Sequence, residues 1–384
     1  MTPSSYRSPW MTEDLDALRE LARNFFAKES VPNQERWAEQ HCVDRQFWNA
    51  AGKVGILCVS IDQAYGGGGG TFAHEAVVIE EQARAIDDAF GFSVHSPIVA
   101  HYINAYGSEE QKLRWLPKMA SGELVGAIAM TEPNTGSDLQ SIRTTAKRDG
   151  DDYVINGSKT FISNGTHCAL IIIVARTGTE GGAAAISLVV AETKDLAGFE
   201  RGRVLEKIGM KGQDTRELVF VDMRIPVANL LGDIEGQGFF QLMNQLPQER
   251  LAIATTAVAA TETAVDLAIQ YAKDRSAFGK QLIDFQNTRY VLSECKTDAL
   301  ASRTLLDHCI SLHLEGRLDA ATASMAKFWC TDRQVDVIDR CLQIFGGYGY
   351  MLEYPIARMY AAARVQKIYG GTNEIMKELI ARTL

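Results

Sequence analysis

The sequence is poor in the features that would take it away from ordinary globular enzymes. Lys plus Arg number 39 against 48 Asp plus Glu, a net charge of −9, so the basic excess of a nucleic-acid binder is missing. No apolar run approaches the ~18 residues of a membrane span. The longest is Ala169–Ala175. Met1–Trp10 is short and polar, with no apolar signal core and no Arg-rich amphipathic leader. That fits the bacterial cytoplasm, or a mitochondrial matrix protein whose presequence has been removed. The seven cysteines are odd in number, scattered and without a CxxC pair, so they read as buried thiols rather than disulfides or zinc ligands. No histidine stands three residues after a Glu, which sets aside a di-iron bundle. His308 and His313 read as surface or satisfied core residues, and no metal is expected. GxGxxG and GK[ST] are both missing. Gly66–Gly70 therefore reads as a flexible turn ahead of a helix over Phe72–Ile86, not as a phosphate cradle.

What is present falls into three textures. The spacing of Leu15, Leu18, Leu21, Phe25 and Phe26 after the acidic opening Thr12-Glu13-Asp14 predicts a helix. A second, short one starts at Asp44 and stops near Gly55. From Val125 the pattern turns to β. Asp152–Ile155 and Lys159–Ile162 flank Asn156-Gly157, a hairpin signal, and Cys168–Arg176, Ile186–Ala191 and Leu218–Asp222 are further strands. No helical pattern separates them, so an antiparallel β domain is expected rather than a Rossmann unit. From Gly238 a helical stripe returns through Leu251, Ala254, Val258, Val265 and Ala268. Pro247 is expected to kink this helix or start it anew. Leu292–Leu314 and Leu318–Phe345 complete a four-helix-type bundle. The class is α+β, divided as an N-terminal α-helical domain (1–124), a middle β domain (125–234) and a C-terminal helical bundle (235–384).

Five strings carry the chemistry. Ala129-Met130-Thr131-Glu132-Pro133-Asn134-Thr135-Gly136-Ser137-Asp138 is a strand running into a turn with free N–H groups and hydroxyls, although alone it reads equally as a surface turn. The others are Lys159–Gly165, Arg275–Lys280, Gln343–Gly349 and Tyr369–Glu374. Together, in this order and spacing and over nearly the whole chain, they resemble the acyl-CoA dehydrogenase family. Pro247-Gln248-Glu249-Arg250-Leu251 and Tyr369–Arg382 point to its long-chain branch.

The resemblance implies FAD. Met130 and Thr131 would face the pyrimidine side of the flavin, with Ser137 nearby. Phe161 would pack on the ring beside Ile162, and Ser163 would bring a hydroxyl near N5. Many relatives carry Trp and Thr where this chain has Phe161 and Ser163. Arg275, Phe278 and Gln286 match residues that reach the FAD of a neighbouring subunit, a guanidinium being suited to a pyrophosphate. Gln343, Gly346 and Gly347 would bring backbone close to the cofactor, and Thr372 and Glu374 would hold its adenosine end. An isolated Arg275 would read only as a charge at a helix C-terminus.

The reaction so implied removes two hydrogens across Cα and Cβ of an acyl-CoA thioester, which calls for a carboxylate base and a grip on the carbonyl. Many relatives place the Glu directly after the Tyr of the Tyr369 string. Here that position is Gly370. The long-chain and isovaleryl branches supply the base from the long helix, where the matching residue is Glu249. Read alone, Glu249 beside Arg250 is a routine helix ion pair. Gly370 keeps its backbone N–H for the thioester carbonyl. Ser137, Phe240, Arg250 and Gly371 are implied neighbours of the CoA thioester. The family also implies a homotetramer built as a dimer of dimers and an electron-transfer flavoprotein as acceptor. An acyl-CoA oxidase of the same fold, and a non-catalytic flavin- or acyl-CoA-binding scaffold, are the alternatives.

Overall fold

The computed structural model describes residues 6–179 and 181–384, so part of the N-terminal stretch Met1–Trp10 lies outside the described residues. The first third is helical: α1 (Glu13–Phe25), α2 (Gln34–Gln40), α3 (Arg45–Lys53), α4 (Phe72–Arg84), α5 (Phe92–Val94), α6 (His101–Tyr106) and α7 (Glu109–Ala120). α1 opens on Glu13, Asp14 and Asp16, which complement the positive end of its dipole, and buries Leu15, Ala22 and Phe25. Thr71 and His74 form a capping box at the start of α4. The glycine run before it is a turn, and a tightly bonded one. The N–H groups of Gly67, Gly68, Gly69 and Gly70 go to the carbonyls of Asp62, Cys58, Ile61 and Val59, which leaves none of the four for a phosphate. α5 runs through a π-helical segment, His95–Ala100, into α6.

Among the described residues, seven strands follow in one sheet: β1 (Val125–Ala129), β2 (Thr145–Asp149), β3 (Asp152–Ser163), β4 (Cys168–Arg176), β5 (Ile186–Glu192), β6 (Phe199–Val204) and β7 (Thr215–Pro226). The order is β1-β4-β2-β3-β7-β6, with β5 on β4. Most pairs are antiparallel, but β4 runs parallel to both β1 and β2. The hairpin expected at Asn156-Gly157 is not there. Both residues lie inside β3, and the chain reverses at Gly150-Asp151 between β2 and β3. The register on β7 shifts between Ile155 and Gly157, and the Asn156 side chain exchanges hydrogen bonds with Asp222. The Asn-Gly pair thus serves a bulge, not a turn.

α8 (Gly238–Asp274) runs through Pro247 as one helix and does not start anew there. By length and composition it could cross a membrane, but more than half of its most apolar stretch is buried within the protein. The small hairpin β8 (Ser276–Ala277)–β9 (Lys280–Gln281) leads to α9 (Gln286–Leu314), α10 (Ala320–Phe345), α11 (Pro355–Gln366) and α12 (Asn373–Ala381). A buried ion cluster fastens the N-terminal helices to this bundle. Arg303 on α9 meets Glu80 on α4 and Glu262 on α8, and Arg84 and Arg19 also reach Glu80. Their charges outweigh the burial of Glu80 and hold its carboxyl well below the usual range.

Candidate active site

A cavity of about 470 Å³ opens where the sheet meets α4, α5, α8 and α11. It gathers ten of the residues singled out in the sequence: Met130, Thr131, Ser137, Phe161, Ile162, Ser163, Glu249, Arg250, Gly370 and Gly371.

One wall joins two of the strings. The N–H of Thr160 donates to the carbonyl of Thr131 at 2.9 Å. Lys159, fully buried, donates to the carbonyl of Met130 and to Oε1 of Glu132, both at 2.9 Å. Burial lowers the Lys159 ammonium to about 8, against the pull of Glu132. Burial raises the Glu132 carboxyl, but Lys159 and the N–H groups of Arg143 and Thr144 overcome this and hold it below its usual value. Sequence reading missed both residues, although each lay within a quoted string. Beyond this clamp the register of β3 on β7 shifts again, between Lys159 and Ile162. Phe161 adopts φ +59°, unusual for an aromatic residue, and is 65% exposed on the cavity wall.

The opposite wall is α8. Glu249 is buried there, and its Oε1 accepts a 2.7 Å hydrogen bond from the Tyr102 hydroxyl. Burial pushes its carboxyl up to about 7, with Tyr102 and Arg250 pulling the other way. Among the described residues no ion pair joins Glu249 and Arg250, since adjacent helix positions do not face each other, although the Arg250 charge still acts on the carboxyl. Arg250 instead turns toward Ser324 on α10, with its Nη1 3.4 Å from Oγ, and burial lowers its guanidinium. Gln248 donates to the carbonyl of Pro97 at 2.7 Å and lies 3.0 Å from Nε2 of His313, which is half-buried. The third side is the loop Tyr369–Gly371. Buried Lys327 holds it, donating to the carbonyl of Gly371 at 2.7 Å and to Asn373 at 2.9 Å. Neither Lys327 nor Tyr102 carries a motif that would single it out in the sequence.

The remaining candidates lie elsewhere. Arg275, Gly346 and Gly347 line a second hollow with Tyr271, Phe345 and Tyr348. A Cβ on Gly346 or Gly347 would enter open space. About 39 Å of α8 separates Arg275 from Glu249 at the ~1.5 Å rise of a helical residue. Phe278 is 96% exposed at the β8–β9 turn, Gln286 opens α9 bonded to Tyr290, and Gln343 is exposed in the last turn of α10. Thr372 caps α12, and Glu374 is exposed in its first turn. Neither lines the cavity. Phe240 is half-exposed off the cavity wall, and it is its neighbour Phe239 that lines it. Among the described residues, no cluster of three His, Cys, Asp or Glu side chains is placed to hold a metal.

Three family descriptions match in succession: the N-terminal domain of acyl-CoA dehydrogenase at residues 12–123, its middle domain at 127–223 and its C-terminal domain at 236–384. The long-chain specific acyl-CoA dehydrogenase of Sus scrofa mitochondria is 49% identical over 96% of this chain and 86% of its own length. The crystal structure of an acyl-CoA dehydrogenase from Geobacillus kaustophilus superposes with a TM-score of 0.96 at 44% identity, covering 98% of this chain and 99% of that one. A glutaryl-CoA dehydrogenase from Mycobacterium smegmatis, solved in complex with FADH2, superposes with a TM-score of 0.91 at 27% identity, covering 97% of this chain and 95% of that one. The chain belongs to the acyl-CoA dehydrogenase family.

Proposed function

We propose that the chain oxidises a fatty acyl-CoA, long-chain or branched, to the trans-2-enoyl-CoA with Glu249 as base, and that the electrons pass to an electron-transfer flavoprotein. The observation that carries this is the meeting of buried Glu249 and the Gly370 loop across one cavity. Enzymes of this family are FAD-dependent oxidoreductases.

The residues present fit FAD. Phe161 offers an exposed aromatic face on the cavity wall, and Gly346 and Gly347 leave the second hollow open beside Arg275. When bound, FAD supplies the hydride acceptor. Met130, Thr131, Ser137, Ile162 and Ser163 would hold its flavin end, with Phe161 against the ring. Arg275, Gly346 and Gly347 line a hollow separate from this cavity, and with Phe278, Gln286 and Gln343 they would serve the cofactor of a second copy of the chain. That arrangement supports an assembly of paired subunits, here a dimer of dimers. Thr372 and Glu374 would approach the adenosine end.

Glu249 takes the α proton. Its desolvated carboxylate is a stronger base than one in water. The Gly370 N–H, in a loop fixed by Lys327, steadies the thioester carbonyl as charge builds on it. Arg250, Ser137 and Gly371 border the thioester. Burial of Glu249 on a largely apolar wall keeps water from competing for the proton.

Anaerobic bleaching of the yellow protein by acyl-CoAs of graded length and branching tests the reading and supplies the substrate. A scaffold without activity would not bleach. Mixing the reduced, product-bound enzyme with air or with an electron-transfer flavoprotein separates dehydrogenase from oxidase. Slow reaction with O₂ and fast reaction with the flavoprotein are expected, and hydrogen peroxide formed at the turnover rate would assign an oxidase.

A further inference from the structure

A base on a long helix needs something to aim it, and α8 itself supplies nothing: Arg250 turns away toward Ser324. The partner comes from α6. Tyr102 is fully buried, does not line the cavity, and donates its hydroxyl proton to Oε1 of Glu249 at 2.7 Å. Among the described residues nothing donates a hydrogen bond to Oε2 of Glu249, and Glu249 lines the cavity. We infer that Tyr102 is the positioning residue of the base: it occupies Oε1 from behind the cavity wall and leaves Oε2 as the proton acceptor. The inference rests on the reading of Glu249 given above.

The surroundings support a fixed role. Gln248, next to Glu249, is tied to the carbonyl of Pro97 in the π-helical segment that leads directly into α6. The base and the tyrosine are therefore held by the same two elements on both sides of the bond. Tyr106, one turn beyond, caps the carbonyl of Gln241 at 3.3 Å and packs its ring 6.3 Å from that of Tyr102. Burial pushes the Tyr102 hydroxyl well above its usual range, helped by the nearby Glu249 charge, so it remains a donor throughout the working pH. In the reaction the α proton passes to Oε2, while Tyr102 keeps its own proton and changes no covalent bond. The other titratable and charged groups are Asp87, Asp88, Asp138, Arg358 and Tyr369 on the cavity wall, Arg250 on α8, Tyr106 on α6, His313 on α9 beside Gln248, and Lys327 on α10 beyond Arg250. Among the described residues, only Tyr102 donates a hydrogen bond to the carboxylate.

The test follows anaerobic flavin reduction by dodecanoyl-CoA against pH, together with the infrared carboxyl band that vanishes in Glu249→Gln. Tyr102→Phe removes one hydroxyl and keeps the ring. It should shift both the kinetic limb and the carboxyl titration upward by about one pH unit, because a bond to the charged form is lost. The maximal reduction rate should fall about tenfold, as expected for a general base no longer held in line. Placing 3-fluorotyrosine at position 102 keeps the shape and makes the hydroxyl a stronger donor, so both readouts should move downward. Tyr106→Phe should move neither. A limb and a band that stay in place in both Tyr102 variants, with FAD retained, would overturn the inference. If Glu249→Gln itself reduces its flavin normally, the assignment of the base has failed instead, and the two failures are thereby distinguished.

Discussion

A Cβ on Gly370 would stand 2.3 Å from Cδ1 of Ile253, which lies one turn beyond Glu249 on α8. Gly370 also has φ +63°, a conformation that side-chain-bearing residues rarely adopt. A side chain at position 370 would therefore require the end of Ile253, on the helix that carries the proposed base Glu249, to swing aside.

This relation sets the outcome of moving the base. Gly370→Glu in a Glu249→Gln background should recover little flavin reduction, held back by the Ile253 contact and by a left-handed backbone worth roughly 1–2 kcal/mol. Adding Ile253→Val removes the offending Cδ1 and should raise the recovered rate. Equal rates in the double and triple variants would show that Ile253 is not the obstacle.

Glu249 also sets a pH signature in stability. Its carboxyl ionises near 4.5 when unfolded and near 7 when buried, so between these values the folded state holds more protons. Stability then falls as pH rises through that window, by about 3 kcal/mol in all at ~1.4 kcal/mol per unit. The amide introduced by Glu249→Gln cannot ionise. In thermal melts the Glu249→Gln protein should gain on the wild type from pH 5 to 8, and the difference between the two should stop changing below pH 4.5. A gap that does not change with pH anywhere would mean that Glu249 ionises normally.

Lys159 is expected to matter for the site without touching the reaction. Lys159→Met strands Glu132 without its cation in a buried wall, at a cost of about 3–5 kcal/mol, and releases the carbonyl of Met130. Urea titration and flavin content should fall together. Full FAD content with lowered stability would confine Lys159 to the fold.

Arg275→Ala should shed FAD and loosen the assembly at once, as measured by flavin absorbance and sedimentation. Loss of FAD with the assembly unchanged would remove the argument for a shared site.

What the sequence disclosed depended on how local the signal was. The α1 stripe, the turn before α4 and the apolar strands β4 and β5 were legible because a few neighbouring residues decide them. Asn156-Gly157 misled because the turn it favours competed with Gly150-Asp151 six residues earlier, and pairing with β7 chose the latter. β6, Phe199–Val204, is a polar edge strand without alternation and could be placed only by its partner. Pro247 neither ends nor restarts α8, since burial against neighbouring helices outweighs the lost bond. The ten cavity residues were readable from strings, whereas Tyr102 and Lys327 reach the site across the fold from ordinary helices.

The most direct test of the account is the anaerobic half-reaction of Glu249→Gln. The substituted side chain is nearly isosteric, can still accept the Tyr102 bond through its amide oxygen, and cannot take the proton. The variant should bind FAD, fold as the wild type does and bind acyl-CoA, while its flavin bleaches roughly 10²–10⁴ times more slowly, the usual worth of a general base. Bleaching at the wild-type rate would contradict the account and require the α proton to leave through another group.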